Sequence, residues 1–134
     1  MKKERTVKSL SADILPVPTE ADEQKMLFEW AAYQSGKYPQ LRLLYHIPNE
    51  GKRSGTLGAD LVRQGLRKGV PDICLPVARG NYHGLYIELK RIKNSKTSDD
   101  QKRWISDLAE QGYKATVCRG WEEARKAILG YLSL

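Results

Sequence analysis

A mixed α/β domain is the fold class the sequence predicts, and three observations predict it. Apolar residues recur at helical spacing near the start and the end of the chain. Two short central runs alternate with period 2, and glycine-containing turn residues join them. The expected order is α, β, α, β, β, α, β, α: a small central sheet with helices packed around it. With 134 residues, 40% of them hydrophobic and 29% charged, the chain suits one domain with a packed core. It is too apolar to be disordered along its whole length.

The elements are justified in chain order. Residues 1–18 hold Lys2, Lys3, Arg5 and Lys8 ahead of Pro16 and Pro18. They lack apolar periodicity and read as a basic flexible arm before a domain over 19–134. Thr19 suits an N-cap, and Glu20, Asp22 and Glu23 suit the positive end of a helix dipole. Leu27, Trp30 and Ala31 then recur at helical spacing, which predicts a helix over about 20–35, stopped by Gly36. The apolar run Leu41 to Ile47 reads as a short strand, and Pro48 to Gly55 as an exposed basic loop. Leu57, Leu61 and Leu66 predict a short helix over 57–68, with Gly65 placing its end in question.

The second half begins with a hairpin. Asp72 to Val77 and Leu85 to Lys90 alternate, and Gly80, Asn81 and Gly84 lie between them. Ser98 followed by Gln101 forms a capping box, after which Gln101, Trp104, Ile105 and Leu108 share one face of a helix that Gly112 ends. Lys114 to Cys118 is a strand, and Trp121, Ala124, Ile128 and Leu132 stripe a final helix. Trp30, Trp104 and Trp121 all fall on core-facing stripes.

Composition narrows the function. The net charge of +7 favours association with polyanions, nucleic acid foremost, because Lys and Arg contacts to phosphates release condensed counterions. Apolar runs fall far short of the ~18 residues needed for a membrane span. Cys74 and Cys118 lie in separate apolar runs, which indicates neither a disulfide framework nor a zinc knuckle and suits a reducing, cytoplasmic compartment. No P-loop, G-x-S-x-G or dinucleotide-binding pattern occurs, so an organic cofactor is not expected.

The chemistry concentrates on the hairpin. Strand alternation sends Leu85, Ile87 and Leu89 to one face and Tyr86, Glu88 and Lys90 to the other. Asp72 opens the preceding strand after Pro71, within reach of Glu88 across the hairpin. Two converging carboxylates make a hard, oxygen-rich site suited to Mg²⁺ or Mn²⁺. An ammonium beside them can position water and offset charge on a phosphate. Spacing alone also describes a solvated strand face. The apolar opposite faces and the basic chain favour the site.

Pro71-Asp72 followed by Glu88-Leu89-Lys90 resembles the PD-(D/E)-x-K nuclease signature, and the surroundings resemble its VRR-NUC branch. The supporting segments occur in the branch's order: Thr19 to Gln24 with Leu27, Phe28 and Trp30; His46-Ile47-Pro48-Asn49; Gly65 to Asp72; Tyr86 to Lys90; Ser98 to Gln101; and Gly112. The resemblance implies a restriction-endonuclease-like core and a metal-dependent endonuclease. Asp72, Glu88 and the Leu89 backbone carbonyl would be metal ligands and Lys90 the catalytic lysine. An acidic residue of the first helix, Glu20 or Glu23, would complete the site. For either one the alternative role is favouring the helix N-terminus. Gln101 corresponds to a polar residue facing the site, alongside its role in the capping box. The Val-Arg-Arg element naming the branch has only Val117-Cys118-Arg119 near its place.

Small stand-alone members of the branch, found in phage and bacteria, resemble four-way-junction resolving enzymes. A homodimer on branched DNA is therefore expected, with a flap- or nick-directed nuclease and a non-catalytic DNA-binding module as alternatives. His46, Asn49, Lys52, Arg53, Arg63, Arg67, Lys68, Arg91, Lys93 and Lys96 are candidate DNA contacts, each of which also reads as a solvated charge or loop residue.

Overall fold

A computed structural model describes residues 16–48 and 55–134. The basic arm up to residue 15, with the candidate contacts Asn49, Lys52 and Arg53, lies outside them. Helix α1 spans Glu20–Gln34 and starts from a reciprocal capping box. Thr19 Oγ1 accepts from the Asp22 N–H at 3.1 Å, and Asp22 accepts from the Thr19 N–H at 3.3 Å. A 3₁₀ helix over Pro39–Leu43 follows, then β1 (Tyr45–His46), α2 (Gly55–Arg63), β2 (Ile73–Leu75) and β3 (Leu85–Lys90). Helix α3 (Asp99–Glu110), β4 (Lys114–Arg119) and α4 (Trp121–Leu132) complete the chain.

The four strands form one sheet in the order β1-β2-β3-β4, antiparallel at the first two junctions and parallel at the last. The β2–β3 hairpin pairs Ile73 with Ile87 and Leu75 with Leu85. These residues, with Leu89 and Cys118, face α1 and α4 and build the core with Leu27, Ala31, Ala124 and Ile128. Leu27, Ile73 and Ile128 are wholly inaccessible, so truncating any of them to Ala costs ~2–5 kcal/mol. Tyr131 is buried in this layer with its hydroxyl satisfied, donating to the Val77 carbonyl at 2.6 Å. Helix α3 packs along β4 over the opposite face, the one that carries Glu88 and Lys90.

Three sequence expectations change. Leu41 to Ile47 is mostly not a strand: Pro39 starts a 3₁₀ turn, and Leu41 and Leu44, three apart, are both buried by it. Only Tyr45 and His46 pair with β2. The helix expected over 57–68 runs Gly55–Arg63 instead, because Gly65 adopts φ +111° and ends the winding. Trp104 does not join the core. No residue of α3 is fully buried, and the Trp104 indole donates to the Lys68 carbonyl at 3.1 Å.

Candidate active site

The site begins with the hairpin. Asp72 sits immediately before β2, where its carbonyl accepts the Ile47 N–H at 2.6 Å and its Oδ2 accepts the Leu89 N–H at 2.8 Å. A carboxylate ahead of one strand is thereby tied to the backbone of the next. The loop before Asp72 is shaped by Gly69, whose φ is +92° and whose missing side chain leaves room for α3. A Cβ there would lie 2.7 Å from the Asp100 backbone carbon. Lys68 reaches Asp100 at 3.8 Å across the same contact. The loop that presents Asp72 is thus seated on the first turn of α3.

Glu88 and Lys90 are 2% and 6% exposed, so both charged groups are held away from water. Burial of this kind is tolerated only with partners, and Gln101 supplies them. Its Oε1 accepts from Lys90 Nζ at 2.8 Å and from the Ser98 N–H at 2.9 Å, while its Nε2 donates to Glu88 Oε2 at 3.1 Å. Two donors converging on Oε1 fix which end of the amide is which. Lys90 Nζ is also 3.4 Å from Glu88 Oε2. The capping box of α3 and the site are therefore one hydrogen-bonded unit.

Glu20, Asp72 and Glu88 each bring a carboxylate oxygen within 4.8 Å of the others. They line a 550 Å³ pocket together with Gln24, His46 and Lys68. Burial pushes the Glu88 carboxyl up to about 8, the adjacent Asp72 carboxylate adds to the rise, and Lys90 opposes it. Glu88 Oε1 is buried with no hydrogen-bond partner. An orphaned buried oxygen beside two further carboxylates is a donor set that fits a hard divalent cation. Glu20, Asp72 and Glu88 would hold it, and Leu89 also lines the pocket.

Glu23 lies elsewhere. It is 2% exposed and accepts the Trp121 N–H at 3.2 Å, capping α4 at a position where Gly120 offers no side chain. His46 borders the pocket, its Nδ1 donating to the Asp72 carbonyl at 3.1 Å. Of the basic candidates, Lys68 reaches the pocket wall, while Arg63, Arg67, Lys93 and Lys96 are exposed outside the lining. Arg91 is half-buried and donates to the Val17 carbonyl at 3.4 Å, tying down the segment before α1. Arg119 donates to the Ser95 carbonyl and hydroxyl at 3.1 and 2.8 Å, pinning the loop that leads into Ser98. Sequence reasoning assigned no site role to Gln24, Gly69 or Ser98, which line the pocket. The i, i+4 step from Glu20 to Gln24 is the signal that was available for one of them.

A mixed sheet whose antiparallel hairpin carries Asp and Glu-x-Lys, with a third carboxylate from the first helix, defines a PD-(D/E)-x-K nuclease-type fold. Within that class the VRR-NUC domain family matches residues 19–122, and the chain belongs to it. A solved structure of a VRR_NUC domain protein aligns with a TM-score of 0.78 at 34% sequence identity, covering 90% of this chain and 93% of that one. No curated protein sequence matches at comparable significance. Among the described residues no helix is long and apolar enough to cross a membrane.

Proposed function

We propose that the chain is a Mg²⁺- or Mn²⁺-dependent endonuclease that hydrolyses phosphodiester bonds of branched DNA, four-way junctions foremost. It would act as a two-fold dimer in the cytoplasm of a bacterial or phage-infected cell. The observation that carries this reading is the convergence of Glu20, Asp72 and Glu88 within 4.8 Å beside the buried Lys90.

A bound divalent cation supplies Lewis acidity to phosphate oxygens and lowers the pKa of a coordinated water. The remaining roles belong to the protein. Lys90, held by Gln101, presents an ammonium that orients water and offsets the charge developing on the phosphoryl oxygens. Water oxygen forms a bond to phosphorus as one bridging P–O bond breaks, and of that water's two protons one stays with the new P–OH while the other ends on the departing oxygen. Gln101 keeps Glu88 aimed into the pocket while Lys90 does this. The exposed Lys68, Lys93 and Lys96 add sequence-independent attraction for the backbone. The net charge of +7 supports the same partner.

The test is cleavage of labelled four-way junction, 5′-flap and linear duplex by purified protein with Mg²⁺, Mn²⁺ or EDTA, beside Asp72→Ala and Lys90→Ala. Paired symmetric nicks on the junction that need metal and vanish in both variants support a dimeric resolving enzyme. Cuts confined to the flap redirect the substrate to repair intermediates. Unaltered binding without any product leaves a DNA-binding module.

A further inference from the structure

Helix α1 brings more to the site than the Glu20 carboxylate. Glu20, Gln24 and Phe28 follow at i, i+4 and i+8 along one stripe, each step advancing about 6 Å along the axis. The stripe starts at the carboxylate cluster and runs out along the groove between α1 and β1. There Gln24, Lys25, Phe28 and His46 line a shallow depression of about 230 Å³ that is almost wholly apolar. Gln24 and His46 line both this depression and the catalytic pocket, so the two are continuous.

Its chemistry is specific. Two flat rings, the half-buried Phe28 and the imidazole of His46, flank it. The exposed imidazole is oriented by its Nδ1 bond to the Asp72 carbonyl. The Gln24 amide offers a donor and an acceptor, and Lys25 is exposed at the rim. The geometry points to a subsite for one unpaired DNA base, belonging to the nucleotide next to the bond that is cut. A base that is stacked and paired cannot enter, because both faces and its pairing edge are engaged. A base at a flap or gap, or one that unpairs at a branch point, is free to stack on Phe28 and to meet the Gln24 amide with its edge. Stacking on an aromatic side chain tolerates every base, so the subsite would select DNA structure without selecting sequence. This inference rests on the nuclease reading above and adds a reason for a preference for branched DNA.

The test first maps the wild-type cut on a gapped or flapped oligonucleotide, then replaces the unpaired nucleotide beside it with an abasic one. Wild-type protein is expected to cut the abasic substrate about tenfold more slowly. Phe28→Ala should cut both substrates at that slower rate, with the intact-to-abasic ratio near one. Phe28→Leu, which keeps apolar volume against the core, should show the same collapse of the ratio if the ring is what matters. Taking the ratio within each variant removes any general loss from folding. Indifference of the wild type to the abasic nucleotide, or the same ratio in wild type and both variants, overturns the subsite. A binding arm separates this failure from failure of the nuclease reading. In Asp72→Asn protein, 2-aminopurine at the same nucleotide should be quenched on binding, and the quench should disappear with Phe28→Ala. If no DNA is cut but the quench depends on Phe28, the subsite stands and the nuclease reading falls. A quench unchanged by Phe28→Ala overturns the subsite.

Discussion

Lys90 and Gln101 are joined by a 2.8 Å hydrogen bond whose acceptor oxygen is simultaneously held by the N–H of the helix cap at Ser98. The first turn of α3 therefore sets the position of the lysine. It also sets the position of Glu88, which the other end of the same amide contacts at 3.1 Å.

Replacing Gln101 by Glu should separate the two roles of this residue. Glu at the N3 position preserves the capping box, so the melting temperature should stay within a few degrees of wild type. The amide donor to Glu88 is lost and a second carboxylate is placed beside it. Metal-dependent nicking is expected to fall by at least about tenfold. Calorimetric melting and a time course of nicking on one substrate check both halves.

The pH dependence of the metal-free protein follows from Glu88, whose carboxyl is raised from 4.5 to about 8. Between those values the folded state binds more protons than the unfolded state, so unfolding free energy falls as pH rises. The contribution is full below about 4.5 and is lost as pH passes through about 8. Melting temperature measured in EDTA across this window should decline, and Glu88→Gln should flatten the decline. The same shift requires cation binding at neutral pH to release a proton, so Mn²⁺ affinity should rise with pH until about 8. Titration calorimetry in two buffers of different ionisation enthalpy reads that proton directly.

Glu20 and Glu23 should part cleanly. Glu20→Gln is expected to weaken Mn²⁺ binding about tenfold or more with little change in stability, because Glu20 is exposed. Glu23→Ala leaves the Trp121 N–H without its acceptor and should cost ~1–3 kcal/mol of stability while Mn²⁺ binding per folded molecule is retained. Denaturant melts and Mn²⁺ titrations of both variants decide it. The reverse assignment would return Glu23 to the site.

Gly69→Ala should be severe for its size. The backbone is at φ +92° and the new Cβ meets backbone atoms of Asp100. Left-handed strain alone costs ~1–3 kcal/mol, and relief of the clash would move the loop that presents Asp72. Loss of about 2 kcal/mol in a urea melt, with a fall in nicking larger than the unfolded fraction explains, is the expected pair of results.

Among the basic residues, Lys93 and Lys96 should behave unlike Arg91. Each lysine that contacts a phosphate contributes ~0.9 to the slope of log affinity against log salt, so the double alanine variant should flatten that slope by up to ~2. Arg91→Ala removes the bond to the Val17 carbonyl, and its main effect should be on stability. Binding isotherms at four salt concentrations distinguish the two behaviours.

Much of this was legible in the chain alone, because it depends on near neighbours. Alternation in Leu85 to Lys90 puts Glu88 and Lys90 on one face whatever packs against it, and Ser98 with Gln101 forms a cap with no outside help. The core stripes of α1 and α4 follow from helical period in the same way. What local pattern left open, packing decided. Glu20 and Glu23 are three residues apart, only some 60° around a helix, and both suit its first turn. The choice came from which neighbour each one meets: Asp72 and Glu88 for the first, the bare N-terminus of α4 for the second. Leu41 to Ile47 has the apolar content of a strand, yet the 3₁₀ turn that Pro39 starts takes in its first residues and leaves only Tyr45 and His46 to pair with β2. Arg91 reads as a free charge in sequence and is half-buried against the segment before α1 in the fold. Residue type and spacing determined which groups were candidates for a site; long-range contacts determined which of them come together, because only those contacts set burial, partners and the rise in the Glu88 carboxyl.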